Sequence, residues 1–421
     1  LTTALILFAV AAVNYRADPY GAFDPVVDSQ PMERPAFATN TRLAKAHIVT
    51  SFRPQAILLG TSRAEVGLSP EHPAWNHARV YNLGLPHSNM GETLEYLEHA
   101  IAAGALEQVV IGLDFLQFNP LLPPRPDFDE CRLRNPDSLW STWRARLCDI
   151  PVLLMSRRAL VESVTLLGSS QPDNTYLRDG SRDDQAKEAE LVRAGSQHAG
   201  FLNSEYQYYH DTDLLRGFVD SDEGIATTTG PQFEALLRLS HRHGIDLRLF
   251  ISPTHARQQE LLHMMGLWER FSRWKRYLMN ATYEVAAESG AQPFPLWDFA
   301  AFTTYTEEAV PAIDDGNARM KWFWESSHYT RALGDVVLDE VLSGKATGLG
   351  QRIDRDNLDE WTHTIEERRR LYQQVNAREL STMRRYLESS SSLARSTRTP
   401  ASRINDPSII HTIKLTPVSR R

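Results

Sequence analysis

Four short apolar runs constrain this chain more than any other feature. They are QAILLG (55–60), RVYNL (79–83), QVVIGL (108–113) and DLRLFIS (246–252), each of strand length. At their carboxyl ends they give way to Gly60, Gly84, Asp114 and Ser252. A run that is apolar throughout, rather than at alternate positions, suits a strand covered on both faces, as in a parallel sheet between helical layers. The segment between the second and third runs reads as a helix. Asn89 opens it, Glu92 three residues later makes a capping box, and Leu94, Leu97 and Ile101 form an inward stripe. Helices are also predicted at 40–52, 231–243 and 331–343, with Gly244 stopping the second of these and Thr330 capping the third. A helical stretch over 257–289 and a fifth strand in PFPLWDF (293–299) complete the pattern. Strand and helix in alternation predict an α/β fold with a central parallel sheet and right-handed crossovers.

The alternation breaks between residues 116 and 230, which hold the proline cluster NPLLPPRPDF, both cysteines, and helical stretches at 151–167 and 184–195. This region is predicted to be a large, mostly helical insertion. Beyond 345 a charged helical pattern over 355–388 gives way, from Glu388, to a Ser, Thr and Arg-rich sequence expected to be a disordered, solvated tail. The chain of 421 residues carries a net charge of −8, which excludes a broad basic footprint for nucleic acid. Its two cysteines, Cys131 and Cys148, form no CxxC pair, so no metal site is expected. A disulfide between them and two buried thiols both remain open. The opening run LTTALILFAVAAV (Leu1–Val13) is almost wholly apolar but shorter than the roughly 20 residues a spanning helix needs. We expect it to be part of an uncleaved membrane anchor whose earlier residues precede this sequence. The core of a cleaved signal peptide and a buried core helix are the competing readings. The expected organisation is an anchor at 1–16, an α/β domain at 17–345 with the insertion at about 116–230, and a charged helix and disordered tail at 346–421. Either membrane reading exports the domain; the anchor reading puts it on the periplasmic or outer side of the inner membrane, held by a single pass.

In open parallel sheets, ligands bind outside the carboxyl ends of the strands. Gly60-Thr61-Ser62-Arg63 follows the first strand directly, so Ser62 is a candidate nucleophile, although the same residues would also make a plain turn. Gly84 follows the second strand, where its N–H could face a developing oxyanion or simply serve a turn. Asp114 follows the third. Glu325-Ser-Ser-His328 sets a carboxylate three residues before a histidine, a spacing that can orient the ring during proton transfer or make a surface loop pair. His255, after the fourth strand, is a candidate substrate contact or a satisfied loop histidine. Arg63 suits a carboxylate or phosphate on a substrate, or a structural ion pair. His241-Arg242-His243 sits at a helix end, where cations suit the dipole, and is read as structural. The chain has neither a P-loop lysine nor a GxGxxG pattern, so a phosphate-binding use of the Gly60 loop is the weakest reading and no cofactor is expected.

The order Gly-x-Ser, then Gly after strand two, then Gly-x-polar after strand three, then acid-x-x-His near the end resembles the SGNH (GDSL-like) hydrolase superfamily. The Gly-Thr-Ser-Arg form is similar to its membrane-anchored, exported branch, which includes proteins linked to alginate O-acetylation and to D-alanylation of teichoic acids. The resemblance covers about 55–120 and 231–343. It implies a three-layer, flavodoxin-like fold, Ser62 as nucleophile, His328 as base and Glu325 as its orienting acid. The Ser62 and Gly84 N–H groups would serve the oxyanion. Two positions depart from the pattern. The third block is Gly112-Leu113-Asp114 where the family usually offers an asparagine, and an ionised Asp only accepts hydrogen bonds. Either Asp114 is held protonated, or Asn119 or Asn89 substitutes, or the hole has two donors. The acid before the histidine is Glu rather than Asp. The implied activity is an exported serine esterase or O-acyltransferase acting on an acylated saccharide or cell-envelope polymer. Envelope-biosynthesis proteins are the implied partners. A non-catalytic binding or assembly protein on the same fold is the alternative.

Overall fold

A computed structural model describes residues 2–23, 25–76, 78–168, 175–211, 216–218 and 225–396. The predicted strands form one six-stranded sheet with a strand that the sequence did not announce. In chain order they are β1 (Ala56–Leu59), β2 (Val80–Asn82), β3 (Gln108–Leu113), β4 (Asp246–Ile251), β5 (Leu296–Asp298) and β6 (Gln351–Ile353). The spatial order is β2-β1-β3-β4-β5-β6. The first five are parallel, and β6 runs antiparallel to β5. The chain therefore reverses its direction of winding between β1 and β3, the place where such sheets open a crevice at their carboxyl edge.

The apolarity of the central strands, unbroken in β1 and in β3 after Gln108, follows from coverage on both sides. Ile57, Leu59, Val109, Ile111, Leu247 and Leu249 join one core, with residues of the helices Thr41–Phe52, Met90–Ala102, Gly230–Arg242 and Trp268–Ser289. Leu58, Val110 and Phe250, one position out of phase, join a second core with Leu333, Val337 and Val341 of the helix Arg331–Ser343. Alternate side chains thus enter opposite layers. The sheet is an α/β sandwich, as the alternation predicts.

Several local expectations change. The stretch 257–289 is two helices, Ala256–Met264 and Trp268–Ser289, parted at Gly266, whose φ of +72° suits glycine. Only half of the capping box forms: Asn89 Oδ1 accepts from Glu92 N at 2.9 Å, while the Glu92 carboxylate turns to Arg42 Nε at 2.8 Å and Arg125 N at 2.9 Å. Thr330 occupies the N-cap position, but its hydroxyl donates to Lys321 O at 2.7 Å.

The segment beyond residue 345 joins the core. β6 pairs with β5, and the helix Leu358–Val375 buries Trp361, Ile365 and Tyr372. Trp361 Nε1 donates to Asp298 Oδ2 at 3.0 Å, the same oxygen that accepts from Lys275 Nζ at 2.7 Å. A further helix, Ala377–Ser396, runs past the predicted start of the tail at Glu388, and the rest of that tail lies outside the described residues.

Within the insertion lie the helices Leu139–Ile150, Arg157–Gly168, Asp184–Ala194 and Gln197–Tyr209, the first two joined through the helical turn Pro151–Met155. Cys131 and Cys148 are bonded, with Cα atoms 6.1 Å apart. The opening run is a helix, Thr2–Ala17, with Asn14 and Ala17 buried and most of its apolar side chains exposed, so it is not a core helix over its apolar length. Among the described residues no helix is long and apolar enough to cross a membrane.

Candidate active site

The carboxyl edge of the sheet collects the loops that carry polar side chains. After β1 the chain turns at Gly60, where φ is +137° and a Cβ would lie 2.7 Å from Gly112 O and 2.9 Å from Ala64 Cβ. Only glycine fits, and the turn can therefore be tight. Thr61 is the N-cap of the short helix Ser62–Gly67 and accepts from Arg63 N at 3.3 Å. Ser62 is the first residue of that helix, so its N–H has no intrahelical acceptor.

Ser62 Oγ lies 2.8 Å from His328 Nε2. The other ring nitrogen, Nδ1, meets Glu325 Oε1. Glu325 also accepts from the backbone N–H of His328 at 2.9 Å and of Ser327 at 3.0 Å, so the carboxylate holds both the ring and the loop that bears it. Burial alone would raise the Glu325 pKa. The charge of His328 and its hydrogen bond outweigh that effect and bring it down to about 2, keeping the carboxylate ionised. An ionised acceptor on Nδ1 fixes the proton there and leaves Nε2 to accept from the serine hydroxyl. The three groups thus form a continuous acid–imidazole–hydroxyl relay whose members come from opposite ends of the α/β region.

The other expected contributors are placed differently. The Gly84 N–H does not face the serine; it donates to Asn82 Oδ1 at 2.9 Å. Asn82 is fully buried at the end of β2, and its Nδ2 donates to Ala64 O and Leu68 O, each at 3.0 Å. One amide therefore ties the serine-bearing helix to the second strand and occupies the Gly84 donor. Asp114 accepts from Arg63 Nη1 at 2.7 Å through one oxygen and from the Thr61 hydroxyl through the other. It is a structural acceptor at the base of the loop, which answers the departure at this position without supplying an oxyanion donor. Arg63 is correspondingly an internal brace rather than a substrate contact: besides Asp114 it donates to Ser327 Oγ at 3.2 Å from Nε and 3.1 Å from Nη2. Asn89 is tied into its surroundings: Oδ1 caps its helix and one Nδ2 N–H donates to Leu122 O at 3.0 Å. Asn119 Oδ1 accepts from Leu121 N at 3.0 Å within its own turn.

His255 is a support, not a contact surface. It is buried, donates through Nε2 to Glu308 O at 2.7 Å, and accepts at Nδ1 from Arg257 N at 3.2 Å. Burial lowers its pKa to about 3, so the ring stays neutral. Its own N–H donates to Ser326 O at 3.1 Å and so props the loop that carries His328.

Residues outside the sequence reading also meet here. Tyr208, from the insertion, has its hydroxyl 2.9 Å from Ser327 Oγ, extending the Arg63 brace to a third segment. His87 adopts a left-handed φ of 54° on the loop after β2. Enclosure lowers its pKa, and the charges of Arg125, His328 and Arg42 act in the same direction, which sets this ring within electrostatic reach of the site. A histidine next to a proline in a loop carried no signal that would have singled it out. Among the described residues no group of three or more His, Cys, Asp or Glu side chains is arranged to hold a metal.

Fold and site together define an α/β protein with a serine–histidine–glutamate relay at the carboxyl edge of its sheet. No family model matches the chain, and no curated protein matches it either.

Proposed function

We propose that this chain is an exported serine esterase or O-acyltransferase of the SGNH (GDSL-like) type, acting on an acylated saccharide or cell-envelope polymer. The single observation that carries the reading is the Ser62–His328–Glu325 relay, with a 2.8 Å contact between hydroxyl and ring nitrogen. In this reading His328 takes the proton as Ser62 Oγ attacks the ester carbonyl, and returns it to the departing alkoxide. Water or a sugar hydroxyl then attacks the acyl-serine, with His328 as base, and regenerates Ser62. The Ser62 N–H is the donor available to the oxyanion. The strand order supports the flavodoxin-like arrangement, and the disulfide supports an oxidising compartment. The saccharide or polymer substrate and the placement in the inner membrane rest on the sequence resemblance.

The test is turnover of p-nitrophenyl acetate and labelling by a fluorophosphonate, for the wild type beside Ser62→Ala and His328→Ala. Loss of both signals in both variants is expected. Equal labelling of wild type and Ser62→Ala would overturn the serine mechanism.

One observation favours a second reading, a binding or assembly protein on the same fold. The Gly84 N–H is committed to Asn82 and the Asp114 side chain to Arg63 and Thr61, leaving a sparse oxyanion site. Polysaccharide binding without ester turnover on any acylated substrate would establish it.

A further inference from the structure

Three helices of this protein are packed with their faces reversed. In Leu139–Ile150 the buried positions are Ser141, Ala145 and Asp149, whereas Trp140, Trp143, Leu147 and Ile150 point outward. The outward set recurs at three- and four-residue spacing and so makes one continuous stripe. Trp140 is 69% exposed, Trp143 60% and Leu147 64%. In Arg157–Gly168 the buried residues are Ala159 and Ser163, and the outward ones are Val161, Val164 and Leu167. The helix Thr2–Ala17 buries Asn14 and exposes Leu5, Ile6 and Phe8, the last by 74%. A helix that turns small and polar residues inward and large apolar ones outward is matched to an apolar exterior.

The opening helix and Arg157–Gly168 are tied together, and Leu139–Ile150 runs directly into the helical turn Pro151–Met155 that both of them meet. The buried Asn14 side chain donates to Leu154 O at 2.9 Å and accepts from Ser163 Oγ at 2.9 Å, which pins the opening helix to the turn before Arg157–Gly168 and to that helix itself. Leu153 and Ala159 close a small core beneath the junction with Tyr20 and Leu43. Three exposed cations stand near this junction: Arg16, two residues past Asn14, and Arg157 and Arg158, which follow the Leu154 turn. Tryptophans beside aliphatic side chains, with arginines at the margin, match the chemistry of a bilayer interface.

We propose that residues 139–168 are a second membrane-contacting element, which lies in the headgroup layer beside the opening helix and docks this face on a bilayer containing anionic lipids. The occupant follows from continuity with the apolar opening run and from the charge at its margin. Short helices suffice, because an interfacial helix need not cross. The inference does not depend on the serine chemistry. It gives a role to part of the insertion for which the sequence alone offered none.

The test uses the full chain. Both native cysteines are in the disulfide, so a single added cysteine takes an environment-sensitive fluorophore. Four positions are labelled in separate proteins: Trp143→Cys, Val164→Cys, Phe8→Cys on the opening helix, and Val375→Cys on the exposed end of the helix Leu358–Val375. Vesicles of phosphatidylcholine and phosphatidylglycerol in equal parts are expected to brighten and blue-shift the first three probes and leave the Val375 probe unchanged. A response at position 8 alone would overturn the proposal, since the opening helix would then act by itself. A lipid-independent response at 143 and 164 that grows with protein concentration would also overturn it, in favour of a second copy of the chain. Combined Trp140→Ser, Trp143→Ser and Leu147→Ser, all at exposed positions, is expected to weaken vesicle binding on the order of tenfold or more from the apolar area removed. Unchanged affinity in that variant would count against the face. Binding that is equally tight to phosphatidylcholine alone would remove the anionic part of the assignment.

Discussion

Glu325 couples the chemistry of the site to the stability of the fold. Its pKa falls from an ordinary 4.5 to about 2, so the folded state favours the ionised form. That contribution is fully present above the ordinary value and is lost as pH drops from 4.5 toward about 2. Urea midpoints measured across this window should therefore fall less steeply for Glu325→Gln than for the wild type; parallel curves would show that the depressed pKa is not there. If Ser62 is the nucleophile, the same substitution also removes the acceptor that fixes the His328 tautomer, and esterase turnover should drop by up to about 10⁴-fold with the serine hydroxyl intact. At Gly84 a methyl group would meet Glu65 N at 2.6 Å and Asn82 Oδ1 at 2.9 Å. Gly84→Ala is therefore expected to destabilise the protein by about 1–3 kcal/mol through overpacking, measurable by chemical denaturation. Part of this scale was legible in the sequence. The turn at Gly60 and the position of Ser62 follow from a strand that ends in glycine, and the reach from Glu325 to His328 is local. The fate of the Gly84 donor was not legible, because it depends on which way the Asn82 amide turns. The Arg63–Asp114 pair joins residues 51 apart, and spacing alone does not show that either side chain is already taken.

Among the elements, the helix Leu358–Val375 shows most clearly how a sparse pattern can conceal a core element. Its buried residues Trp361, Ile365 and Tyr372 keep helical spacing, but the charged residues around them read as a solvated surface. What holds the helix is tertiary: the indole N–H of Trp361 and the ammonium of Lys275 share one oxygen of the buried Asp298, at the end of β5. β6 was illegible for a related reason, since its three residues Gln351–Ile353 are too few to show a period and include a charged residue. The strands buried on both faces were legible because the stretches AILL of β1 and VVIGL of β3 hold no polar residue. Trp361→Ala is expected to cost about 3–5 kcal/mol, as for other large-to-small changes in a core. A chain ending at residue 345 would lose β6 and this clamp together, and should unfold at lower urea than the full chain. A truncated protein as stable as the full chain would mean that β5 and Asp298 need no partner.

At the scale of the whole molecule, the candidate site exists only where distant segments converge. Ser62, Asp114, Tyr208 and the 325–328 loop are held by hydrogen bonds that cross the α/β layers and the insertion. The relay should therefore persist as long as the fold does and vanish with it. The disulfide offers a way to separate stability from site geometry. Cys131 and Cys148 close a loop with a sequence separation of 17 inside the insertion, and none of the hydrogen bonds that position Ser62, His328 and Glu325 runs through it. Replacing both cysteines by alanine removes a restraint on the unfolded chain worth about 3 kcal/mol for a loop of this size. The expected outcome is a lower urea midpoint with an unchanged rate of Ser62 labelling by a fluorophosphonate in buffer without denaturant. A labelling rate that fell in the folded variant would mean that the insertion transmits its packing to the site, with Tyr208 and Ser327 as the connection the structure provides.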